Sequence, residues 1–331
     1  ESQHELTVNA AELGIDLAAA DFLDIGPDSE FFSESHSYDI VSSQDAEDEQ
    51  LIGDIRRAIE RRDPDRVLID PITQLQYIEP DEYQFRKRII SLTRFLKDSE
   101  TTVLATKTPT SQMSESLQSL SDGVIQLTHE GENRRISVLK HRGVGQQSGT
   151  HGFEIKSDGV HVYPAIRPEQ HDRTFDPVTV ASGVDGFDDV FDDGLEQGTV
   201  TIISGPSGVG KSTTAAEFLS SAATSGGGHA YLFEESIETF THRAETFGIP
   251  ITQLQNEGSL TVQEVPPQVM SPEEFAATVK SQVEGSEARL VVIDGIEGYQ
   301  TALKSEDGGV DLRTRLHALT RYLTNMNVTV I

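Results

Sequence analysis

Apolar and polar positions in the second half of the chain follow two alternating patterns. Short runs rich in β-branched residues predict buried strands at Thr199–Ser204, Ala230–Phe233 and Leu290–Asp294. Longer segments with helical spacing predict helices at 212–221 and near 312–323. Because strands alternate with helices, the pattern indicates an α/β fold in which helices cover both faces of a mainly parallel sheet.

A further helix is predicted to begin at Ser271. This hydroxyl residue is followed by Pro272 at the first helical position and by Glu274 three residues on, a combination typical of a capping box. We therefore predict a helix that begins after Ser271 and runs toward Val283.

The end of the first half of the chain has a different pattern. Its short apolar runs are separated by the turn sequences Gly131-Glu132-Asn133 and Ser157-Asp158-Gly159. We predict strands at Val124–Thr128, Arg135–Lys140, Gly152–Ile155 and Val160–Tyr163. Such hairpins would add antiparallel strands at the edge of the sheet.

The chain also repeats itself over a long distance. The segment Arg66–Ile72 is similar to Leu290–Ile296, and Ala11–Ile15 is similar to Glu245–Ile249. A repeat this long indicates duplication of a whole domain rather than a solenoid.

We predict a first domain at residues 1–165, a polar, proline-containing linker at 166–177 and a second domain at 178–331. The first domain lacks the strand and glycine-rich loop that precede Glu235 in the second, so we expect only its C-terminal part here. The second domain ends in the β-branched run Val328–Ile331, which we expect to be an unfinished buried strand. The chain is therefore expected to be a fragment.

The segment between the first two predicted strands of the second domain matches the phosphate-loop pattern G-x-x-x-x-G-K-S. Its glycines would let successive backbone N–H groups converge on phosphate oxygens, and the following helix start would add its positive dipole. We expect Lys211 to contact the β- and γ-phosphates of ATP and Ser212 to ligate Mg²⁺. The predicted ATP-binding residues are Gly205, Pro206, Ser207, Gly208, Val209, Gly210, Lys211, Ser212 and Thr213.

Three acidic residues follow predicted strands and would reach the same sheet edge as the loop. Asp294 is the candidate magnesium carboxylate, and the alternative is that it caps the next turn. Glu234 and Glu235 are candidate catalytic residues together with Lys211, because a carboxylate near a γ-phosphate can orient the attacking water and accept its proton. The alternative is a solvated acidic strand end in a very acidic protein.

The amino-acid composition limits the binding partners, the chemistry and the cellular location that we expect for this protein. The 331 residues include 55 acidic and 26 basic side chains, giving a formal net charge of −29. Such a charge disfavours nucleic acid and anionic membranes, and with few lysines it suggests a halophilic source. There is no cysteine, which excludes thiolate chemistry. No apolar run approaches the roughly 18 residues of a bilayer span, so we expect a cytoplasmic protein.

At this point the residues resemble a known family. The second domain is similar to the RecA-like P-loop NTPase domain of the KaiC family in Ser182–Asp189, Gly194–Gly198, the phosphate loop, Phe233–Ser236 and the strand ending in Asp294. The first domain is similar to the rest of such a domain, with Leu139–Gly143 near its end. The resemblance implies a homo-hexameric ring, ATP between neighbouring subunits, and catalytic roles for Glu234 and Glu235.

The resemblance also implies that Lys140 and Arg142 reach the phosphates of a neighbouring subunit's ATP. The alternative is that they are charges on an edge strand that prevent aggregation. Gln146 stands about where family members often have a histidine. The residues that some members autophosphorylate would lie beyond Ile331, and Ser119 and Ser121 do not match them convincingly.

Three functions are compatible with these residues. The leading hypothesis is an ATP-hydrolysing switch in signal transduction that acts on an unknown regulatory protein, with autokinase activity left open. A DNA recombinase paralogue is the alternative, and the net charge of −29 argues against it. The third is a scaffold that binds ATP for assembly and barely hydrolyses it.

Overall fold

The computed structural model describes residues 3–24, 53, 55–73, 82–107, 118–130, 133–143, 145–168, 178–191, 193–266, 270–302 and 310–331. The chain divides into two compact units. The first comprises residues 1–125, 139–146 and 155–159, and the second comprises residues 126–138, 147–154 and 160–331. Most of the expected linker lies outside the described residues, so the domain boundaries at 165 and 178 remain a prediction.

Outside its hairpin residues, the described part of the first unit contains helices and two parallel strands. They are α1 (Gln3–Glu12), α2 (55–62), β1 (Arg66–Ile69), α3 (Glu82–Asp98) and β2 (Thr102–Ala105). Strands β1 and β2 pair in parallel, with Arg66 opposite Thr102. The spacing of apolar residues along α3 gives it one buried face, which packs on α2. This core contains Ile55, Ile59, Phe85, Ile89, Leu92 and Leu96.

The predicted hairpin strands all form. They are β3 (Gly123–Glu130), β4 (Asn133–His141), β5 (Thr150–Lys156) and β6 (Gly159–Tyr163), in that order across one sheet. Strands β4 and β5 are antiparallel, and the turn before β6 uses the left-handed conformation of Gly159 (φ +118°). Among the described residues these strands form a four-stranded sheet of their own, in which each strand pairs with its neighbour in sequence.

The second unit contains the expected alternation of strands and helices. Its N-terminal elements are β7 (Thr179–Val180), α4 (Asp185–Asp188), a 3₁₀ turn (Asp189–Phe191) and β8 (Leu195–Glu196). The elements that follow are α5 (Lys211–Ser225), β9 (Gly228–Leu232), α6 (Ile237–Thr246), α7 (Ile251–Asn256), β10 (Leu260–Glu264), α8 (Pro272–Glu284), β11 (Leu290–Asp294), α9 (Ile296–Ala302), α10 (Val310–Asn325) and β12 (Thr329–Val330).

Four of these strands form a parallel sheet in the order β10-β9-β11-β12. The sequence predictions for β9, β11, α5, α8 and α10 are therefore confirmed, with helix ends extended by one to four residues. The buried run at the end of the chain is also a strand, since Thr329 and Val330 pair with β11.

The predicted strand at Thr199–Ser204 is wrong as a regular strand. Only its first part pairs, through a parallel bridge between Val200 and Val330 in which Thr201 N donates to Val330 O at 2.8 Å. Among the described residues, no regular strand pairs with the residues after Thr201, and Ile202 is 84% exposed.

Side chains along each strand point alternately to the two faces of the sheet, and so they belong to two separate cores. Ala230 and Leu232 of β9 face the core formed with α5, α6 and α7. Tyr231 and Phe233 face the core formed with α8, α9 and α10. The two-sided burial explains why these strands are continuous apolar runs in the sequence.

A buried ion cluster lies beside helix α8. The side chain of Glu273 is only 4% exposed and pairs with Arg135 Nη1 at 2.6 Å and with Arg315. Gly152 lies directly against Glu273, since a Cβ at Gly152 would come within 2.6 Å of the Glu273 Cβ. Two cations around one buried carboxylate offset the cost of removing it from water.

None of the described helices is both long enough and apolar enough to cross a membrane.

The start of α8 gives the first testable prediction. Ser271 Oγ accepts from Glu274 N at 3.2 Å, as expected for a helix cap. Ser271→Ala should lower the free energy of unfolding by about 1 kcal/mol, measured by urea denaturation with circular dichroism. Ser271→Asp keeps an acceptor and should unfold within about 0.5 kcal/mol of the unchanged chain. An equal loss in both variants would mean that Ser271 stabilises the fold by packing.

Candidate active site

The carboxyl edge of the parallel sheet collects the predicted site residues of the second unit. Leu232 lies opposite Asp294 in the pairing of β9 with β11, and Phe233 N donates to Asp294 O at 3.0 Å. Glu234 and Glu235 therefore leave β9 at the level where β11 ends. The bridge of Val200 to Val330 is also parallel, so the chain enters the phosphate loop at this same edge.

The phosphate loop turns sharply before helix α5. Gly208 and Gly210 have φ angles of +79° and +101°, which are strained for any residue with a side chain. Lys211 Nζ donates to Gly205 O at 2.9 Å and to Pro206 O at 3.1 Å, so the ammonium group lies in the curve of the loop.

Helix α5 begins at Lys211 and carries Ser212 and Thr213 in its first turn. The first N–H groups of a helix have no acceptor within the helix, so they are available to an anion at this end. Buried residues such as Phe218 and Leu219 fix the helix against the sheet. Backbone donors and one ammonium group are thus held on a rigid element, as phosphate binding requires.

Asp294 has an incomplete set of partners. Its Oδ2 atom is buried and has no hydrogen-bond partner among the described residues. A buried carboxylate oxygen without a donor is costly unless a cation or water binds it. Asp294 and the Ser212 hydroxyl are hard oxygen ligands, so these residues fit Mg²⁺ accompanied by phosphate and water oxygens.

Glu234 lies in a cradle formed by two glycines. Its Oε1 atom accepts from Gly298 N at 3.1 Å. A Cβ at Gly295 or at Gly298 would come within 2.8 Å of Glu234 Cγ. The cradle therefore requires glycine at both positions, and it fixes the direction of the Glu234 carboxylate.

Glu235 has a different partner, Arg243 of helix α6. Arg243 Nη1 donates to Glu235 Oε2 at 2.6 Å, and Arg243 Nη2 donates to Glu235 Oε1 at 2.5 Å. These hydrogen bonds raise the pKa of Arg243 above its ordinary value, with smaller contributions from the charges of Glu235 and Asp294. The adjacent glutamates are thus held by separate elements.

Sequence reasoning missed Gly295, Gly298 and Arg243. The glycines form the spacing Gly295-Ile296-Glu297-Gly298 directly after Asp294, which could have signalled a close approach to another chain segment. Arg243 has no such signal, because its role depends on where helix α6 places it relative to Glu235.

Lys140 and Arg142 belong to the first unit. Lys140 Nζ donates to the carbonyls of Gln118 at 2.9 Å and Ser119 at 3.1 Å. Arg142 Nη1 lies 3.3 Å from Asp122 Oδ1, and Lys97 pairs with the other Asp122 oxygen at 2.7 Å. The hydrogen bond from Lys97 is the largest of the effects that lower the pKa of Asp122. Contact of Lys140 and Arg142 with a neighbour's ATP remains a prediction.

The parallel sheet with helices on both faces, and the phosphate-loop sequence at its carboxyl edge, agree with a RecA-like α/β fold. A family model described as KaiC ATPase matches residues 1–167 and 180–331 of the chain. The chain belongs to the KaiC family of ATPases. The predicted fold class, a RecA-like α/β fold with parallel sheets flanked by helices and additional antiparallel strands, is thereby confirmed.

Individual relatives agree with this assignment. The chain is 25% identical to the circadian clock oscillator protein KaiC of Parathermosynechococcus lividus over 98% of this chain and 62% of that protein. It is 27% identical to the circadian clock oscillator protein KaiC of Acaryochloris marina over 89% of this chain and 58% of that protein. The chain thus spans about three fifths of the length of these relatives.

The glycine cradle gives a second testable prediction. Gly298→Ala should lower ATP turnover by about tenfold to a hundredfold with little change in ATP affinity, because the new methyl group displaces Glu234. Alanine favours a helix over glycine by about 1 kcal/mol, so helix α9 itself should not be weakened. Gly186→Ala in α4 is the matched control, since a Cβ there meets nothing within 4 Å. Unchanged turnover in Gly298→Ala would contradict the role of the cradle.

Proposed function

We propose that this chain binds ATP with Mg²⁺ at the phosphate loop and hydrolyses it. The observation that carries the proposal is the seating of Lys211 Nζ within 2.9 and 3.1 Å of two loop carbonyls, directly at the start of helix α5. Membership of the KaiC ATPase family supports nucleotide binding and ATPase activity. The proposal assigns that activity to the carboxyl edge of this sheet.

The residues have separate tasks in this proposal. Residues 205–213 hold the triphosphate, with Lys211 reaching the β- and γ-phosphates. Ser212 and Asp294 would hold Mg²⁺, which when bound neutralises charge on the β- and γ-phosphate oxygens. The buried Asp294 Oδ2 atom without a hydrogen-bond partner supports this ligand role among the described residues.

One carboxylate orients the attacking water and accepts its proton. Glu234 is suited to this task because Gly298 N holds its Oε1 at 3.1 Å and so fixes the direction of Oε2. Glu235 is the second candidate. Its two oxygens accept from Arg243, which fixes it equally firmly but surrounds it with positive charge.

We further propose that the protein acts as an oligomeric, nucleotide-driven switch in signal transduction. The family resemblance of the sequence is the basis for a homo-hexameric ring, for Lys140 and Arg142 acting on a neighbour's ATP, and for a regulatory protein partner. Autokinase activity belongs to the same proposal and is tested by transfer of labelled γ-phosphate to the full-length protein.

Removing the loop ammonium group tests the binding site. Lys211→Ala should weaken ATP binding by about tenfold to a hundredfold, because a charge-assisted contact to phosphate is lost. Isothermal titration of the full-length protein in high salt measures this. Lys280→Ala is the control, because it removes one positive charge from the surface of α8, where Lys280 Nζ lies 3.9 Å from Glu284 Oε1. This variant should leave ATP affinity unchanged. Equal affinities in all three proteins would contradict the proposed binding site.

Replacing each glutamate tests the catalytic assignment. Glu234→Gln and Glu235→Gln keep the side-chain shape but remove the proton acceptor, so at least one should lower turnover by about a hundredfold or more. ATP affinity should be retained in both. If turnover is unchanged in both variants, neither carboxylate is catalytic. Salt-dependent DNA binding by the same preparation would instead favour a recombinase function.

A further inference from the structure

The ion pair between Arg243 and Glu235 is partly buried and bidentate. The Arg243 side chain is 35% exposed and that of Glu235 is 18% exposed. Both guanidinium Nη groups are used, and both carboxylate oxygens accept. A bidentate, partly buried pair of this kind fixes geometry as well as charge and is screened by salt less than an exposed pair.

Helix α6 determines where the guanidinium group lies. Ser236 Oγ accepts from Thr239 N at 3.2 Å and so fixes the helix start immediately after Glu235. Arg243 lies two helical turns further on, and its guanidinium carbon is 5.9 Å from the centre of the buried Phe240 ring. Phe240 belongs to the core that the sheet forms with α5, α6 and α7. Packing in this core therefore fixes the position of Arg243, and Arg243 in turn holds the Glu235 carboxylate.

The same cation also acts on Asp294. The charge of Asp294 contributes to the raised pKa of Arg243, after the larger contributions from Glu235. Three carboxylates, those of Glu234, Glu235 and Asp294, leave adjacent strands at one sheet edge. Like charges at such an edge repel one another, and a cation held on Glu235 reduces that repulsion.

We propose that Arg243 is a positioning residue for ATP hydrolysis, which acts by holding the Glu235 carboxylate in one orientation beside Asp294. This inference rests on the proposed function, because it requires that the sheet edge hydrolyses ATP. Arg243 is not among the residues proposed to hold the nucleotide. Its loss should therefore reduce the catalytic step and leave nucleotide binding largely intact.

Two substitutions separate charge from geometry. Arg243→Met keeps an aliphatic side chain over Phe240 but removes the charge and both hydrogen bonds. Arg243→Lys keeps the charge but loses the planar fork that matches a carboxylate. Arg289→Met is the matched control, because Arg289 precedes β11 at the opposite, amino end of the sheet.

The experiment is steady-state ATP hydrolysis by the full-length protein, with the rate that survives in Lys211→Ala subtracted as background. In Arg243→Met we expect kcat to fall by about tenfold to a hundredfold, because a contact that orients a catalytic group is lost. The KM for ATP should stay within about threefold of that of the unchanged protein. Arg243→Lys should lie between Arg243→Met and the unchanged protein, and Arg289→Met should match the unchanged protein.

A double-mutant comparison distinguishes positioning from a general structural role. If Arg243 acts through Glu235, then Arg243→Met should lower kcat by less than about twofold when Glu235→Gln is already present. A kcat for Arg243→Met within twofold of the unchanged protein would overturn the inference. A full additional loss in the Glu235→Gln background would overturn it too. If the unchanged protein shows no turnover above the Lys211→Ala background, the proposed function fails and this inference falls with it.

Discussion

The parallel, in-register pairing of β9 with β11 is the constraint on which the site depends. It places Leu232 opposite Asp294, so the residues that follow both strands emerge at one level of the sheet. Because β12 and the bridge at Val200 continue the same parallel arrangement, the chain runs toward the phosphate loop at this edge of the sheet too. A shift of one residue in this register would turn every side chain of β9 to the wrong core and separate the carboxylates from the loop.

The acidic edge is held together by neutral and positive partners rather than by solvation alone. A backbone N–H holds Glu234, a guanidinium group holds Glu235, and Asp294 keeps a buried oxygen without a hydrogen-bond partner among the described residues. The buried cluster of Glu273 with Arg135 and Arg315 follows the same principle elsewhere in the unit. Removing a carboxylate from water is costly unless such a partner, or a bound cation, compensates its charge.

Much of the fold and part of the site follow from the sequence. Local signals sufficed where a few neighbouring residues determine the conformation, as at the phosphate loop, the Ser271 cap and the buried strand ending at Asp294. They failed where partners come from distant segments. The segment Thr199–Ser204 has the composition of a strand, but strand formation depends on a pairing partner, and among the described residues only Val200 forms a bridge, to Val330. The roles of Gly298 and Arg243 could not be predicted, because they depend on where the fold places the glutamates that these residues contact.

We propose that the backbone of residues 205–213 binds the triphosphate of ATP. Amide hydrogen exchange with and without Mg·ATP, followed in a peptide covering the loop and the first turn of α5, measures this directly. We predict slower exchange in that peptide with Mg·ATP and no comparable slowing with adenosine, which lacks phosphates. Exchange that is unchanged at the loop under conditions where ATP is bound would contradict the claim.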